Sequence, residues 1–348
     1  MITRRFAACC VLWFAFLAQT GNTATLLVAN KSAASVSLFQ LPAGKVVATL
    51  PTGYAPHEVA VSPDGRRALV SNYGDRDRPG ATLTLVDIET AQVAGTIDLP
   101  AQSRPHGLEW LDDQHAIVTA EGIRSLLLVD ADEQAVTRRI AVDQDIAHMV
   151  AASAALGRAF TANIGAGTST AIDLQAGVKL EDMAAGDGSE GIALARGGSE
   201  LWVSNRGADS VSVFDTTSLR KQADIPLEGF PIRVEADDAR GRVYVTLPRA
   251  DAMAVLDVKT RELLQLIEFE IGPDRTRRTL FGDMLPDSSI PIGVLLSGEG
   301  KTLFVAHSNA HVLSVYDAAT LERQAVIPTG LEPDGMAWSP LNISPAGN

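Results

Sequence analysis

The sequence predicts an all-β protein, a seven-bladed β-propeller of four-stranded antiparallel blades. A short pattern occurs seven times: a proline or small residue, two variable residues and then an apolar stretch. The third positions of the copies are residues 58, 107, 149, 191, 233, 293 and 335, and four of the six intervals are 42 residues. Within each repeat, apolar residues alternate or form short runs between turn residues, which is typical of strands.

The first full repeat supplies the four strands of one blade. We expect strands at 58–62, 66–72, 82–87 and 93–99, with a tight turn at Ser62-Pro63-Asp64-Gly65. The later repeats copy this order. Their third strands end in an aspartate, whose carboxylate can accept backbone N–H groups in the following turn, so we assign these aspartates no chemistry.

The two ends of the chain predict one shared blade. Three strands, 25–30, 35–40 and 45–50, precede the first copy of the pattern, and only one, 336–339, follows the last. Pairing of these strands closes the ring and leaves no free sheet edge at the seam. We therefore expect one propeller domain at 25–340 and a short tail at 341–348.

The N-terminus predicts export. Arg4 and Arg5 precede an apolar run at 6–18 and then small and polar residues, which is typical of a secretory signal peptide at 1–24 that is removed. The protein is then periplasmic or secreted. Cys9 and Cys10 lie in this segment, so the mature chain has no disulfide and no thiolate ligand. No later segment is long and apolar enough to span a bilayer.

The charge of the mature chain restricts its partners. Loss of Arg4 and Arg5 from the 29 basic residues leaves 27 against 42 acidic residues. This excess of negative charge disfavours binding to nucleic acid and to anionic membrane surfaces. We expect a monomer that contacts a small molecule or a partner protein.

The first variable position of the pattern aligns candidate metal ligands at one mouth of the central channel. Three consecutive blades carry His57, His106 and His148, and the next carries Glu190. Three imidazoles with a carboxylate could hold a divalent transition metal, zinc or copper, and leave a coordination position open. The alternative is that each histidine bonds the backbone of a neighbouring blade.

Other polar residues of the same face are candidate ligand-binding residues. Glu58 and Arg233 lie across the ring from each other, where they could form an ion pair or act as a base and an anion anchor. The ends of the second strands supply an outer ring, for which turn roles are the alternative. The complete predicted set is Glu58, Asn72, Glu121, Asn205, Arg206, Arg233, His307 and Asp334.

Two insertions fall on this face. The 49-residue interval contains a longer loop at 75–81, and the 60-residue interval contains a longer link at about 271–289. The second includes Arg275-Thr276-Arg277-Arg278, a basic patch in an acidic protein. This patch is either a solvated loop or a contact for an anion or a partner protein.

The chain resembles the YVTN-repeat β-propeller proteins of the secreted bacterial type. The resemblance is carried by Leu201-Trp202-Val203-Ser204-Asn205, Val211-Ser212-Val213-Phe214-Asp215 and Ser62-Pro63-Asp64-Gly65, and it covers the mature chain. It implies the fold and leaves the activity open between a ligand-binding protein, a lactonase-like hydrolase or lyase, and a scaffold for a periplasmic redox enzyme. We found no Ser or Cys nucleophile motif and no Cys-x-x-Cys-His, and we therefore expect no covalent haem.

Overall fold

The computed structural model describes residues 23–277, 279 and 281–343. They form seven four-stranded antiparallel sheets, the blades of a ring. The predicted signal peptide up to residue 22, with Cys9 and Cys10, lies outside the described residues, as do Arg278 and the tail beyond residue 343. Within the described part of the chain, no helix is long and apolar enough to cross a membrane.

The strands follow the predicted repeat. The chain begins with β1 (Ala24–Asn30), β2 (Ser35–Leu41) and β3 (Lys45–Pro51). Blade 1 contains β4 (Pro56–Val61), β5 (Arg67–Gly74), β6 (Pro79–Asp87) and β7 (Gln92–Asp98). Blade 2 contains β8 (Pro105–Trp110), β9 (His115–Ala120), β10 (Ser125–Asp130) and β11 (Ala135–Ala141). Blade 3 contains β12 (Ala147–Ser153), β13 (Arg158–Asn163), β14 (Thr168–Asp173) and β15 (Val178–Ala184).

The second half of the ring repeats this order. Blade 4 contains β16 (Ser189–Ala195), β17 (Glu200–Asn205), β18 (Ser210–Asp215) and β19 (Lys221–Pro226). Blade 5 contains β20 (Val234–Asp237), β21 (Arg242–Leu247), β22 (Ala252–Asp257) and β23 (Leu263–Glu268). Blade 6 contains β24 (Pro291–Leu296), β25 (Thr302–His307), β26 (Val312–Asp317) and β27 (Arg323–Pro328). The last strand is β28 (Pro333–Ser339).

The predicted closure of the ring is confirmed. Strand β28 pairs with β1, with Trp338 opposite Leu26 and Met336 opposite Val28. Blade 7 therefore takes its inner strand from the end of the chain and its other three strands from the beginning. The pairing removes the sheet edge that an open ring would expose.

The core lies between neighbouring blades. Trp202 of blade 4 is fully buried and belongs to a cluster that includes Val243 and Ala254 of blade 5. Similar clusters, each spanning two adjacent blades, run around the ring. Because both faces of each blade are covered, the strands can present aromatic and β-branched side chains on both sides.

The aspartates that end the third strands have the predicted turn role. In blade 1, the Oδ1 atom of Asp87 accepts the backbone N–H of Thr90 at 2.8 Å. The equivalent carboxylates accept turn N–H groups in the same way at Asp130, Asp173, Asp215, Asp257 and Asp317.

Candidate functional site

A repeated β-bulge positions the predicted column of residues. In blade 1, Pro56 pairs with Asn72 and Val59 pairs with Val70, so His57 and Glu58 together lie opposite the single residue Ser71. The same register shift occurs in blades 2, 3, 4 and 6, and between β28 and β1. A bulge re-aims side chains that would otherwise follow the strand alternation. Here it occurs where each inner strand begins.

A hydroxyl group opposite the bulge accepts a hydrogen bond from a backbone N–H group that the bulge leaves without a partner in the adjacent strand. Ser71 Oγ accepts the N–H of Glu58 at 3.0 Å, and Thr119 Oγ1 accepts that of Gly107 at 2.8 Å. Equivalent bonds run to Ser204 in blade 4 and Thr246 in blade 5. Thr119 also donates to the carbonyl of His148 at 2.5 Å, which ties blade 2 to blade 3.

The three column histidines form one continuous row. His106 Nε2 lies 3.1 Å from His57 Nδ1, within hydrogen-bond distance. The rings of His106 and His148 stack with their centres 3.6 Å apart. All three are buried, and His106 Nδ1 has no hydrogen-bond partner in the described part of the chain. Among the described residues, the hydrogen-bond and ion-pair partners of these rings are other side chains rather than the backbone of a neighbouring blade.

Carboxylates lie at both ends of this row. His148 Nδ1 contacts Glu121 Oε1 at 2.5 Å, and His148 Nε2 lies 3.6 Å from Glu190 Oε1. At the other end, His57 Nδ1 lies 3.3 Å from Asp334 Oδ2. Glu121 Oε2 also accepts a hydrogen bond from the Tyr73 hydroxyl at 2.7 Å.

Arg233 connects the carboxylates across the channel. Its Nη2 atom donates to Glu58 Oε1 and lies 3.7 Å from Asp334 Oδ1, while its Nη1 atom lies 3.8 Å from Glu190 Oε1. The predicted ion pair between blades 1 and 5 is therefore present. Arg233 joins residues from four blades.

Two further cations complete the network. Lys31 Nζ lies 3.3 Å from both Glu332 Oε1 and Asp334 Oδ2. Arg206 Nη1 lies 2.5 Å from Glu190 Oε2. Lys31, which follows β1, and Glu332, which precedes β28, were not predicted. Each is adjacent in sequence to a residue of the aligned repeat, Asn30 for Lys31 and Pro333 for Glu332, and this adjacency is the sequence signal that could have identified them.

Burial and neighbouring charges divide the histidines into two classes. Burial lowers the pKa of His57 and of His106 well below the usual value, and the positive charges around them add to this effect. Burial also opposes the charged form of His148, but the Glu121 and Glu190 carboxylates outweigh it and raise the pKa of His148. The row therefore contains two neutral imidazoles beside one that favours a proton.

The acidic partners of the network are shifted in opposite directions. Burial raises the pKa of Glu58, although Arg233 works against this shift. For Glu190, burial is outweighed by the hydrogen bond from His148 and by the charges of Arg206 and Arg233, which lower its pKa.

A cavity of about 700 Å³ opens over this network. His57, His106, His148, Glu190 and Arg233 line it, as do Asp334, Lys31 and Arg206. Both insertions also reach it, through Asp75 and Arg76 from the first and Thr279, Phe281 and Met284 from the second. The prediction that the insertions share the face of the histidine column is confirmed.

Three predicted ligand-binding residues lie elsewhere. Asn72 donates to Thr82 and Thr84, and Asn205 donates to Ser210 and Ser212, so both amides are engaged inside their own blades. His307 bonds Ser289 and Ser314, and burial lowers its pKa to about 3. These buried side chains hold the second strand to the third, and none of them lines the cavity.

Glu58 and Glu121 are part of the network without lining the cavity. Glu58 is held by Arg233, and Glu121 lies behind Tyr73 and His148. In the basic insertion, Arg275 pairs with the exposed Asp287 at 2.6 Å, so this arginine already has a partner within its own loop.

Among the described residues, one group of side chains could hold a metal ion. One ligand atom from each of His106, Glu121 and His148 can be chosen so that all three lie within 4.8 Å of one another. Two imidazoles and a carboxylate are common ligands of zinc, and a fourth position would be open to the cavity. The group differs from the predicted set, because Glu121 joins His106 and His148 while His57 and Glu190 flank them.

Comparisons with known proteins identify the fold. No family model matches the chain, and no curated protein is a significant match. One similar solved structure is a functionally unknown protein from Desulfotomaculum acetoxidans, with a TM-score of 0.74 and 16% identity, covering 90% of this chain and 98% of the other. Another is the dihydro-haem d1 dehydrogenase NirN in complex with DHE, with a TM-score of 0.62 and 17% identity, covering 90% of this chain and 74% of NirN. At these identities the likeness shows the fold alone: the chain is a seven-bladed β-propeller.

Proposed function

We propose that the protein is an exported β-propeller that binds a divalent transition metal ion, zinc or copper, at the mouth of its central channel, beside a cavity for a small ligand. The observation that carries the metal proposal is the buried group of His106, Glu121 and His148, whose ligand atoms lie within 4.8 Å. His106 Nδ1 in particular is buried and lacks a hydrogen-bond partner within the described residues.

Charge balance supports a cation here. Within the described residues, four buried carboxylates flank the row, and three of them lie within 4.0 Å of Lys31, Arg206 or Arg233. These three are Glu58, Glu190 and Asp334, whereas the fourth, Glu121, contacts His148. Buried negative charge needs compensation. A proton on His148 or a bound metal cation would supply positive charge beside Glu121.

Binding requires a local rearrangement. A tetrahedral ion with ligands at about 2.0–2.1 Å needs ligand atoms roughly 3.3 Å apart. The His148–Glu121 contact must therefore open and His106 must approach, while Tyr73 holds the second oxygen of Glu121. A metal ligand whose other atoms are fixed by hydrogen bonds in this way is well oriented.

Metal content tests the proposal. The full chain, expressed with its own leader and purified, should retain about one zinc or copper ion per molecule after dialysis, measured by plasma mass spectrometry. His106→Ala and His148→Ala should each lose the ion. His115→Ala is the matched control, since His115 lies outside the cavity and contacts Asp112. Metal-free wild-type protein, or equal metal in all variants, contradicts the proposal.

A lactonase-like hydrolase or lyase is the second candidate. The observation that favours it is the pair of imidazoles at the cavity, because burial keeps them in the neutral form that can accept a proton. Glu58 is less suited to this role, since Arg233 engages it away from the cavity. Turnover of a lactone panel that disappears in His57→Gln and persists in His115→Gln would support an enzyme. Absence of turnover by metal-loaded protein would count against it.

A further inference from the structure

A collar of seven residues surrounds the channel mouth, one immediately before each copy of the aligned pattern. All seven have a left-handed backbone, with φ between 47° and 70°. They are Ala55, Arg104, Ile146, Gly188, Phe230, Ile290 and Glu332. Only one is glycine, although this conformation is costly for other residues.

The architecture imposes this conformation. In six blades the carbonyl of the collar residue accepts a backbone N–H from the end of the neighbouring second strand, as Arg104 does from Glu121 at 3.4 Å and Ile146 from Ile164 at 2.9 Å. Because the backbone is fixed all around the ring, the blades differ here only in the side chain that they present at the mouth. The collar positions are therefore suited to determine which ligand the cavity takes.

Arg104 is the exceptional member of the collar. Its side chain lines the cavity, and no carboxylate of the described residues lies within 4.0 Å of it. Of the other arginines that line the cavity, Arg206 and Arg233 are paired with Glu190 and Glu58, and Arg76 belongs to the first insertion. The Nε atom of Arg104 is buried and has no hydrogen-bond partner among the residues described.

Stacking holds the Arg104 guanidinium in place. Its Cζ atom lies 4.4 Å from the centre of the Tyr73 ring. The Tyr73 hydroxyl in turn donates to Glu121. A guanidinium has several N–H donors in a planar fork that matches the geometry of a carboxylate, and Nε of Arg104 is still without a partner among the described residues. A half-buried cation without an acidic partner favours an anion beside it.

The wall of the cavity beside Arg104 is apolar, and this indicates the chemistry of the rest of the ligand. Ile146, Ile164, Phe281 and Met284 line the same cavity, and Ile146 and Met284 are 42% and 68% exposed. Phe281 packs edge-on against Phe230, with ring centres 6.5 Å apart. Apolar side chains that remain exposed over a polar floor are typical of a pocket for an amphiphilic small molecule.

We propose that Arg104 binds the carboxylate of a small amphiphilic ligand whose apolar or aromatic part lies against Ile146, Ile164 and Phe281. This inference rests on the proposed ligand-binding role of the cavity and does not require the metal. It assigns specificity to the collar: Arg104 selects the charge of the ligand and Ile146 contacts its apolar body.

Matched probes test the charge of the ligand. Binding of 4-fluorobenzoate and of its neutral analogue 4-fluorobenzamide to the full protein is measured by ¹⁹F NMR titration. Wild type should bind the benzoate at least about tenfold more tightly than the amide, since a hydrogen bond to a charged group accounts for roughly such a factor. Arg104→Gln should lose about tenfold for the benzoate and leave the amide unchanged.

Controls separate this inference from the metal proposal. Arg66→Gln, at an exposed position outside the cavity, should bind both probes like wild type. Each titration is repeated on metal-loaded and metal-stripped protein, and metal content is measured in the same samples. If wild-type protein takes up no metal even after loading, and its benzoate binding still depends on Arg104, the metal proposal is overturned and this one is supported. No benzoate binding at millimolar concentration, or equal benzoate binding by wild type and Arg104→Gln, overturns this inference.

Discussion

Arg233 and Glu58 form a buried ion pair across the central channel, from blade 5 to blade 1. Arg233 is also the only residue of the described network that approaches Glu58, Glu190 and Asp334 together, at up to 3.8 Å. Carboxylates from three blades thus meet at one guanidinium.

This arrangement predicts unequal effects of mutating the two partners. Arg233→Met leaves three buried carboxylates without this cation and should lower the free energy of unfolding by about 3–5 kcal/mol. Glu58→Gln leaves Arg233 near Glu190 and Asp334, and should cost only about 1–2 kcal/mol. Urea unfolding at pH 7 measures both. A loss for Glu58→Gln as large as that for Arg233→Met would show that Arg233 acts on Glu58 alone.

The bulge hydroxyls predict a second stability effect. Thr119→Val keeps the shape of the side chain and removes both the acceptor for Gly107 N–H and the donor to the His148 carbonyl. Two buried backbone groups lose their partner, so we expect a loss of about 1–3 kcal/mol. Thr137→Val, at an exposed position on the outer strand β11, should change stability by less than about 0.5 kcal/mol. Equal effects of the two substitutions would refute the role given to Thr119.

Two carboxylates deeper in the ring predict a pH dependence of stability. Glu109 of β8 and Glu235 of β20 lie on inner strands, and burial raises the pKa of each to about 7. Repulsion from Glu235 raises the pKa of Glu109 further. For Glu235, the hydrogen bond from the Leu296 N–H opposes the rise in pKa. Because the folded pKa exceeds the unfolded value, their contribution is fully present below about pH 4.5 and is lost as the pH rises through about 7.

The double variant Glu109→Gln/Glu235→Gln should remove this loss. Between pH 5 and pH 8, wild type should lose about 1–3 kcal/mol more stability than the variant, after allowance for partial exposure of both groups. Urea titrations at the two pH values measure the difference. Glu89→Gln, at an exposed carboxylate, should follow wild type. The same pH dependence in the double variant and wild type would exclude these two groups as its source.

The proposed export predicts a defined mature N-terminus. All seven residues of β1, from Ala24 to Asn30, are buried and close the ring against β28. Cleavage of the leader should therefore fall near residues 20–24, since a later cut removes part of a buried strand. Intact mass of protein recovered from the periplasm or medium checks this. An uncleaved chain, or a mature chain that begins after residue 27, would contradict it.

The sequence predicted the fold, and it predicted that the site residues lie together where the inner strands begin, because both follow from the repeat. A fixed interval places His57, His106, His148 and Glu190 at one entry position, and the ring then makes them neighbours. The interval does not give the direction of a side chain. Glu121 follows the end of a second strand, and only the folded register shows that it reaches His148, whereas Asn205, which ends the second strand of blade 4, stays inside its blade.

The residues that the sequence did not reveal lie just outside the aligned pattern. Arg104 and Glu332 precede their inner strands by one position, where the repeat tolerates any side chain. Their role comes from the left-handed backbone that the blade imposes there. A conformational constraint of this kind leaves no compositional signal in a single sequence, because six of the seven residues that adopt it are not glycine.

The most direct test of the metal site is a crystal structure of zinc-loaded protein, with anomalous data collected on both sides of the zinc absorption edge. We expect one anomalous peak at the channel mouth, about 2.0–2.2 Å from ligand atoms of His106, Glu121 and His148. The absence of a peak there at saturating zinc, with the His148–Glu121 hydrogen bond intact, would contradict it.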